Sequence, residues 1–313
     1  MPKRILDLEN PTNTEDTIRV RTLGDEQIVY VCLSYCWGQE SQNYCRLLQS
    51  NVSDFEKALY VRNLPATLRD STWFVKTLGL RYVWIDALCI IQDDIHDWQE
   101  QAPCMGDIYR NAVLTIAATS SAHADQGLIH PRPAEIFKLQ PCELFGRYLY
   151  GPVPSLYRYL DDVPIMRRAW TTQELYLSRR ILYITEAFLA WECRVVQGAE
   201  GFPPGIFSPS TAGQGQTIPF LNFETKEFLR SGTATPQSTY ESWQRLVSDY
   251  SSRQMTKEKD ILVAIAGLAA IVKAMTRDDY LAGLWRGNLT NDLLWQSNES
   301  RSRSEIFAAP SWS

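Results

Sequence analysis

An α/β fold built on a parallel sheet and flanked by helices is predicted for this 313-residue chain. Three observations carry the prediction. Short apolar, β-rich runs are long enough only for buried strands. Stretches of helical spacing alternate with them, as in βαβ units. Polar groups follow the runs closely, where ligands bind in open sheets of this kind.

The first run is YVCLSY, residues 30–35, followed by Cys36, Trp37 and Gly38. It reads as a buried strand ending in a loop. A helix opens near Leu64 and Pro65, because proline in a first turn loses no hydrogen bond that the helix would have made. Leu64, Leu68, Val75 and Leu78 recur at helical spacing, and Gly79 is the expected stop. Residues 81–91, RYVWIDALCII, read as a second apolar, β-rich run with Asp86 in its middle and Gln92 at its end. Residues 98–112 read as a helix with Met105, Ile108, Tyr109 and Ala112 on one face, and 113–118 as a third strand. Ser34 to Gly38, Gln92 to Asp94 and Thr119 to Ser121 then fall at strand ends.

Residues 168–178, RAWTTQELYLS, read as a loop and then a helix. A β-hairpin is expected over residues 181–193, turning at Thr185 and Glu186. Residues 198–218 are rich in Gly, Pro and Ser and read as an irregular loop. From Tyr240 onward the spacing is helical, with a second helix from Asp260 to about Met275. The domain reading is an N-terminal extension over 1–27, a core over 28–200, an irregular insertion over 201–239 and a helical C-terminal part over 240–313.

Composition narrows the function classes. Hydrophobic residues are 45% and charged residues 21%, which is the balance of a packed globular protein. Ten tryptophans and fifteen tyrosines imply large aromatic surfaces in a core, pocket or interface. The net charge is −5 without a basic cluster, so nucleic-acid binding is not expected. No apolar run reaches the length of a membrane span. The N-terminus MPKRILDLENPTNTED lacks a signal-peptide core, so a cytoplasmic location is expected. Seven cysteines without paired spacing read as reduced thiols. Three histidines, at 96, 123 and 130, offer no metal-binding pair, so neither a metal nor a resident cofactor is expected.

Three blocks resemble the motifs of the fungal HET (heterokaryon incompatibility) domain. They are YVCLSYCWG, then RYVWIDALCIIQDD continued by Trp98, Met105 and IYRNAVLTIAA, and finally RAWTTQEL. The resemblance spans roughly residues 28–200, and the terminal APSWS is similar to a longer block that usually follows. The sequence is therefore expected to be a piece of a longer protein. The HET domain in turn is similar to the TIR domain, which implies a flavodoxin-like parallel sheet with hairpin and loop insertions. In that likeness YVCLSY matches the first TIR strand, ending in Ser34 and Tyr35, and Asp86 matches the aspartate of the second strand. Some TIR domains that cleave NAD carry a Trp and, four residues later, a Glu followed by Leu. Trp170, Glu174 and Leu175 reproduce that spacing, although the segment before the glutamate helix is much longer here.

The resemblance implies a protein of fungal non-self recognition and cell death that hydrolyses NAD⁺ or NADP⁺ as substrate. It implies a homo-oligomer on activation and an upstream sensor protein or domain. Such chemistry suits one carboxylate. Nicotinamide in NAD⁺ is already cationic and leaves neutral, so no acid is needed to protonate it. A single glutamate can stabilise the ribosyl cation in a water-poor pocket. Glu174 is the candidate for that role. Trp37 or Trp170 is the candidate to stack on a ring, and Arg167 or Arg168 to clamp the pyrophosphate. Ser34, Tyr35, Asp86 and Gln92 complete the candidate substrate-binding set.

Each residue also has a structural reading. Glu174 suits a helix start, where it complements the dipole. Ser34 suits a hydrogen-bonded strand end, and Trp37 and Trp170 suit a core. Asp86 suits the orientation of a neighbouring loop, because a buried carboxylate needs partners. Asp93, Asp94 and Asp97 read as a solvated loop with one cap, and His96 as exposed. A self-associating signalling module without chemistry is the alternative function.

Overall fold

The computed structural model describes residues 1–9, 16–38, 45–131, 141–144, 147–150, 163–193, 197–200 and 235–296. The chain opens with β1 (Arg4–Asp7), β2 (Thr17–Thr22) and β3 (Tyr30–Ser34). Helix α1 (Val52–Lys57), strand β4 (Leu59–Tyr60) and helix α2 (Ala66–Thr77) follow. Next come β5 (Tyr82–Trp84), α3 (Asp86–Cys89), α4 (Ile95–Gln101), α5 (Met105–Asn111) and β6 (Leu114–Ala118). A small separate hairpin joins β7 (Pro141–Leu144) to β8 (Arg147–Tyr150). Helix α6 (Thr171–Leu177) then leads into β9 (Arg180–Ile184), β10 (Leu189–Cys193) and β11 (Gln197–Ala199). The C-terminal part holds α7 (Pro236–Ser252) and α8 (Ala266–Thr276).

Among the described residues one nine-stranded sheet runs β11-β10-β9-β6-β3-β5-β1-β2-β4. Its centre is parallel: β3 pairs with β5 and β6, and β6 pairs with β9. Strands β1, β2 and β4 extend one side antiparallel, and β10 and β11 extend the other. Val31 faces Val83 on one side and Leu114 on the other, so β3 is buried between apolar strands. That is why its sequence is almost continuously apolar. From β3 the chain crosses to β5 in one direction and then back past β3 to β6. Right-handed crossovers place α2 and α5 on opposite faces when the direction reverses in this way. In open sheets a reversal of this kind marks where ligands bind, here beyond the carboxyl ends of β3 and β6.

Several expectations from the sequence are met. Strands β3 and β6, helix α2 with its end at Gly79, and the β9–β10 hairpin lie where the patterns put them. Three segments differ. The run 81–91 is not one strand: it ends at Trp84, and Asp86 opens the turn α3. The Asp86 carboxylate accepts the Ala87 N–H at 2.7 Å, and the Cys89 N–H returns to the Ile85 carbonyl at 2.9 Å. A short acidic side chain satisfies its own backbone and turns the chain out of the sheet. The expected helix over 98–112 is two helices joined by the 3₁₀ turn Ala102–Cys104, because Pro103 removes an N–H from the ladder. The helix expected from Asp260 begins at Ala266, after two 3₁₀ turns.

Asp97 is a further correction. It is buried, not part of a solvated loop, and Arg4 of β1 holds it through Nη2 at 2.5 Å. Asp94 caps α4 by accepting from His96 and Asp97 N–H groups, and Asp93 accepts from Gln49 N–H at 2.9 Å. Residues 1–27 therefore supply sheet strands as well as an ion-pair partner for α4. The insertion expected over 201–239 falls outside the described residues as far as 234, and the remainder leads into α7, which Thr235 caps.

The C-terminal helices pack on the core. Tyr176 and Leu177 of α6 join Trp243, Leu246, Leu268, Val272 and Trp285 in one apolar cluster. Helices α5 and α8 meet through Gly106 and Gly267. A Cβ on Gly106 would lie 2.9 Å from Leu177 Cδ1 and 3.0 Å from Gly267 Cα, so only glycine permits this approach. Among the described residues no helix is long and apolar enough to cross a membrane, and no cluster of three metal-ligating side chains occurs.

Candidate active site

Strand β3 ends at Ser34, whose side chain is fully buried. Its Oγ donates to Oε2 of Glu174 at 2.5 Å. Glu174 lies in the first turn of α6, as a dipole-complementing carboxylate would, but its side chain is turned to β3 and is only 2% exposed. Helix α6 packs against β3 and α5, so the carboxylate reaches the carboxyl end of the central strand. The phenol of Tyr109, from α5, adjoins the same carboxylate and donates to the Leu33 carbonyl at 3.0 Å.

Burial pushes Glu174 up to about 7. Arg168 draws it back down, Asp86 pushes it further up, and the hydrogen bond from Ser34 and the adjoining Tyr109 phenol favour the charged form. A carboxyl at that value is poised near neutrality, as catalytic carboxyls often are. Burial also disfavours the charge on Arg168, but Glu174, with Cys36, Asp86 and Tyr35, outweighs it and holds the guanidinium above its ordinary value. Arg168 Nη1 donates to the Tyr35 carbonyl, so the guanidinium is directed inward. Tyr35 is buried and its phenol is pushed well above its usual value, by burial first and then by Asp86. It stays protonated at neutral pH.

Asp86 follows β5 at the carboxyl end of the sheet and is half-buried. It accepts the Trp37 indole N–H at 2.9 Å and so ties the loop after β3 to the turn after β5. Burial raises its carboxyl, and Arg168 opposes the rise. The Trp37 loop is tight at Gly38, whose φ is +91°. A Cβ there would lie 2.5 Å from His123 Cβ, so the segment after β6 closes over it.

The structure thus brings together Ser34, Tyr35, Trp37, Asp86, Arg168 and Glu174 from three separate stretches. Gln92 sits one layer back: its amide donates to the carbonyls of Asp86 at 3.0 Å and Ile90 at 2.9 Å and braces the turn. Trp170 precedes α6, with its carbonyl facing the Glu174 N–H at 3.5 Å. Its indole packs against both the main and the C-terminal apolar clusters. Tyr109 was legible only as a member of an apolar helical face, because its phenol is what distinguishes it. Cys32, Cys36 and Cys89 are buried free thiols, and burial raises all three, so none is an activated nucleophile.

A buried carboxylate, a guanidinium and aromatic side chains at a strand-order reversal define an α/β protein with a candidate active site. Residues 30–174 match the family model described as Heterokaryon incompatibility protein (HET). Over that span the chain is similar to the HET family, and the match runs from the first residue of β3 to Glu174 itself. No curated protein and no solved structure matches the chain.

Proposed function

We propose that this HET-like domain hydrolyses NAD⁺ or NADP⁺ at the nicotinamide–ribose bond, with Glu174 as its catalytic carboxylate. The supporting observation is Glu174 itself: buried, held by Ser34 at the carboxyl end of the central strand, and tuned to about 7. The parallel strands there follow the order β5-β3-β6-β9, which fits the flavodoxin-like arrangement that a TIR likeness implies.

In this reading the C1′–N bond breaks, its electron pair leaves with neutral nicotinamide, and the ribose becomes an oxocarbenium ion. The Glu174 carboxylate stabilises that cation where water is scarce. Water then adds to C1′ and releases a proton, giving ADP-ribose from NAD⁺. Arg168 is turned to Tyr35 and Glu174, so its role is to favour the ionised glutamate rather than to clamp pyrophosphate. Trp37, anchored by Asp86, offers the stacking face. The carboxylates of Glu174 and Asp86 suit a cationic ring, whose charge disappears as it leaves.

The biological role follows as part of the proposal: clustering by an upstream sensor activates NAD⁺ loss in non-self recognition and cell death. The test is direct measurement of nicotinamide released from NAD⁺ by the full chain and by Glu174→Ala. Release by the parent alone supports the reading. Equal behaviour of the two, with assembly intact, favours a signalling module without chemistry.

A further inference from the structure

Arg168 reaches Tyr35 from a main chain that residues outside the HET match hold in place. Arg168 is extended, with φ −88° and ψ 130°, between a 3₁₀ turn and α6. On one side it forms a parallel bridge with Gln254. The Gln254 N–H donates to the Arg167 carbonyl at 2.5 Å, and the Ala169 N–H donates to the Gln254 carbonyl at 2.9 Å. On the other side the carbonyls of Arg168 and Ile165, each 2.7 Å from Thr171 Oγ1, share its one hydroxyl proton. Arg253, at the end of α7, donates from Nη1 to that same Thr171 hydroxyl at 3.1 Å.

Arg253 is itself fixed. It is buried, and its Nη2 pairs with Asp249 one turn earlier at 2.8 Å. A buried guanidinium needs such partners, and a hydroxyl that accepts from it becomes a stronger donor. The chain of contacts therefore runs from α7 through Arg253 and Thr171 to the Arg168 backbone, and onward to Tyr35 and Glu174.

We infer that Arg253 is a positioning residue that, through Thr171 and together with the Gln254 backbone, fixes Arg168 beside Glu174. The C-terminal helical part is then a component of the site rather than an appendage. This arrangement holds whatever reaction the site performs.

Among the described residues, the ionisable groups around Glu174 come from every neighbouring element. They are Tyr35, Cys32 and Cys36 of β3 and its loop, Asp86 of α3, Tyr109 of α5 and Arg168 before α6. Only Arg168 among them is cationic. A displaced Arg168 therefore raises the Glu174 midpoint, and the carboxyl's own titration reports Arg168's position without any assay of activity.

The experiment is pH titration of the full chain with ¹³C-carboxyl-labelled glutamate, the Glu174 signal being assigned through Glu174→Gln. Arg168→Ala is the reference for complete loss of the cation. Arg253→Ala and Thr171→Val are each expected to raise the midpoint by about one pH unit. The double variant is expected to move it no further than either single one. Where Arg253→Ala does not fold, Arg253→Met, which keeps the packed stem, takes its place. Midpoints that stay at the parent value while Arg168→Ala moves overturn the inference. Shifts that add in the double variant overturn it too, as does an Arg168→Ala midpoint equal to the parent's.

Discussion

Ser34 and Glu174 lie 140 residues apart in the chain and meet at 2.5 Å. Their hydrogen bond joins the end of the central strand to the first turn of α6. It also stabilises the charged form of a carboxyl that burial otherwise neutralises. Ser34→Ala removes the donor and leaves the fold otherwise intact. A hydrogen bond to a charged group contributes about 1.5–3 kcal/mol. The Glu174 midpoint should rise, and nicotinamide release at pH 7 should fall about tenfold or more. A pH–rate profile of parent and variant checks both.

The ionisation of Glu174 also governs stability, with a definite sign. Its folded value, about 7, lies above the ordinary 4.5. Between those values the native state binds more protons than the unfolded chain, so this group makes stability fall as pH rises. Glu174→Gln removes that dependence. The variant should be more stable than the parent at pH 8 by roughly 1–3 kcal/mol, with the advantage vanishing near pH 4. Urea denaturation at the two pH values measures the difference.

Asp7 shows the opposite dependence. It is fully buried in β1, and burial alone would raise its carboxyl. The Arg81 and Arg19 guanidiniums, at 2.7 and 3.1 Å, outweigh burial and hold it below its ordinary value of 3.8. Its contribution is present above the unfolded value and is lost as pH falls through the depressed folded one. Asp7→Asn removes the charge that two partly exposed guanidiniums pair with and should cost about 1–3 kcal/mol at pH 7. Chemical denaturation at pH 7 and at acid pH should show the gap to the parent closing.

Gly106→Val tests the docking of the C-terminal helices. The first added carbon alone meets Leu177 at 2.9 Å and the Gly267 backbone at 3.0 Å. The Leu177 side chain can turn aside, but the Gly267 backbone cannot yield to valine's bulk without separating α5 from α8. Overpacking of this kind costs about 1–3 kcal/mol. A lower melting temperature and earlier proteolysis of the C-terminal helices are expected, measured by calorimetry and limited digestion.

Much of this was legible from residue patterns. Continuous apolar runs mark β3 and β6 because both are flanked by parallel neighbours. The carboxyl end of β3 carries Ser34, Tyr35 and Trp37, and RAWTTQEL, read as a loop and then a helix, places Glu174 in the first turn. Less legible was the break at Trp84, since the apolar residues of α3 are buried like those of a strand. Gln92 and Trp170 have the residue types of ligand contacts, yet their observed partners are a turn and two apolar clusters. Arg4 and Asp97, or Arg253 and Thr171, bear no pattern at all in sequence. Such pairs are set by tertiary packing across 93 and 82 residues, where local periodicity carries no information.

The central claim is that Glu174 performs chemistry. Its most direct measurement is nicotinamide release from NAD⁺ by concentrated or artificially clustered chain, beside Glu174→Gln folded to the same extent. The account predicts release by the parent, rising with pH through about 7 as the carboxyl ionises, and none from the variant. Release by the variant at the parent's rate, or none from the parent even when clustered, would contradict it.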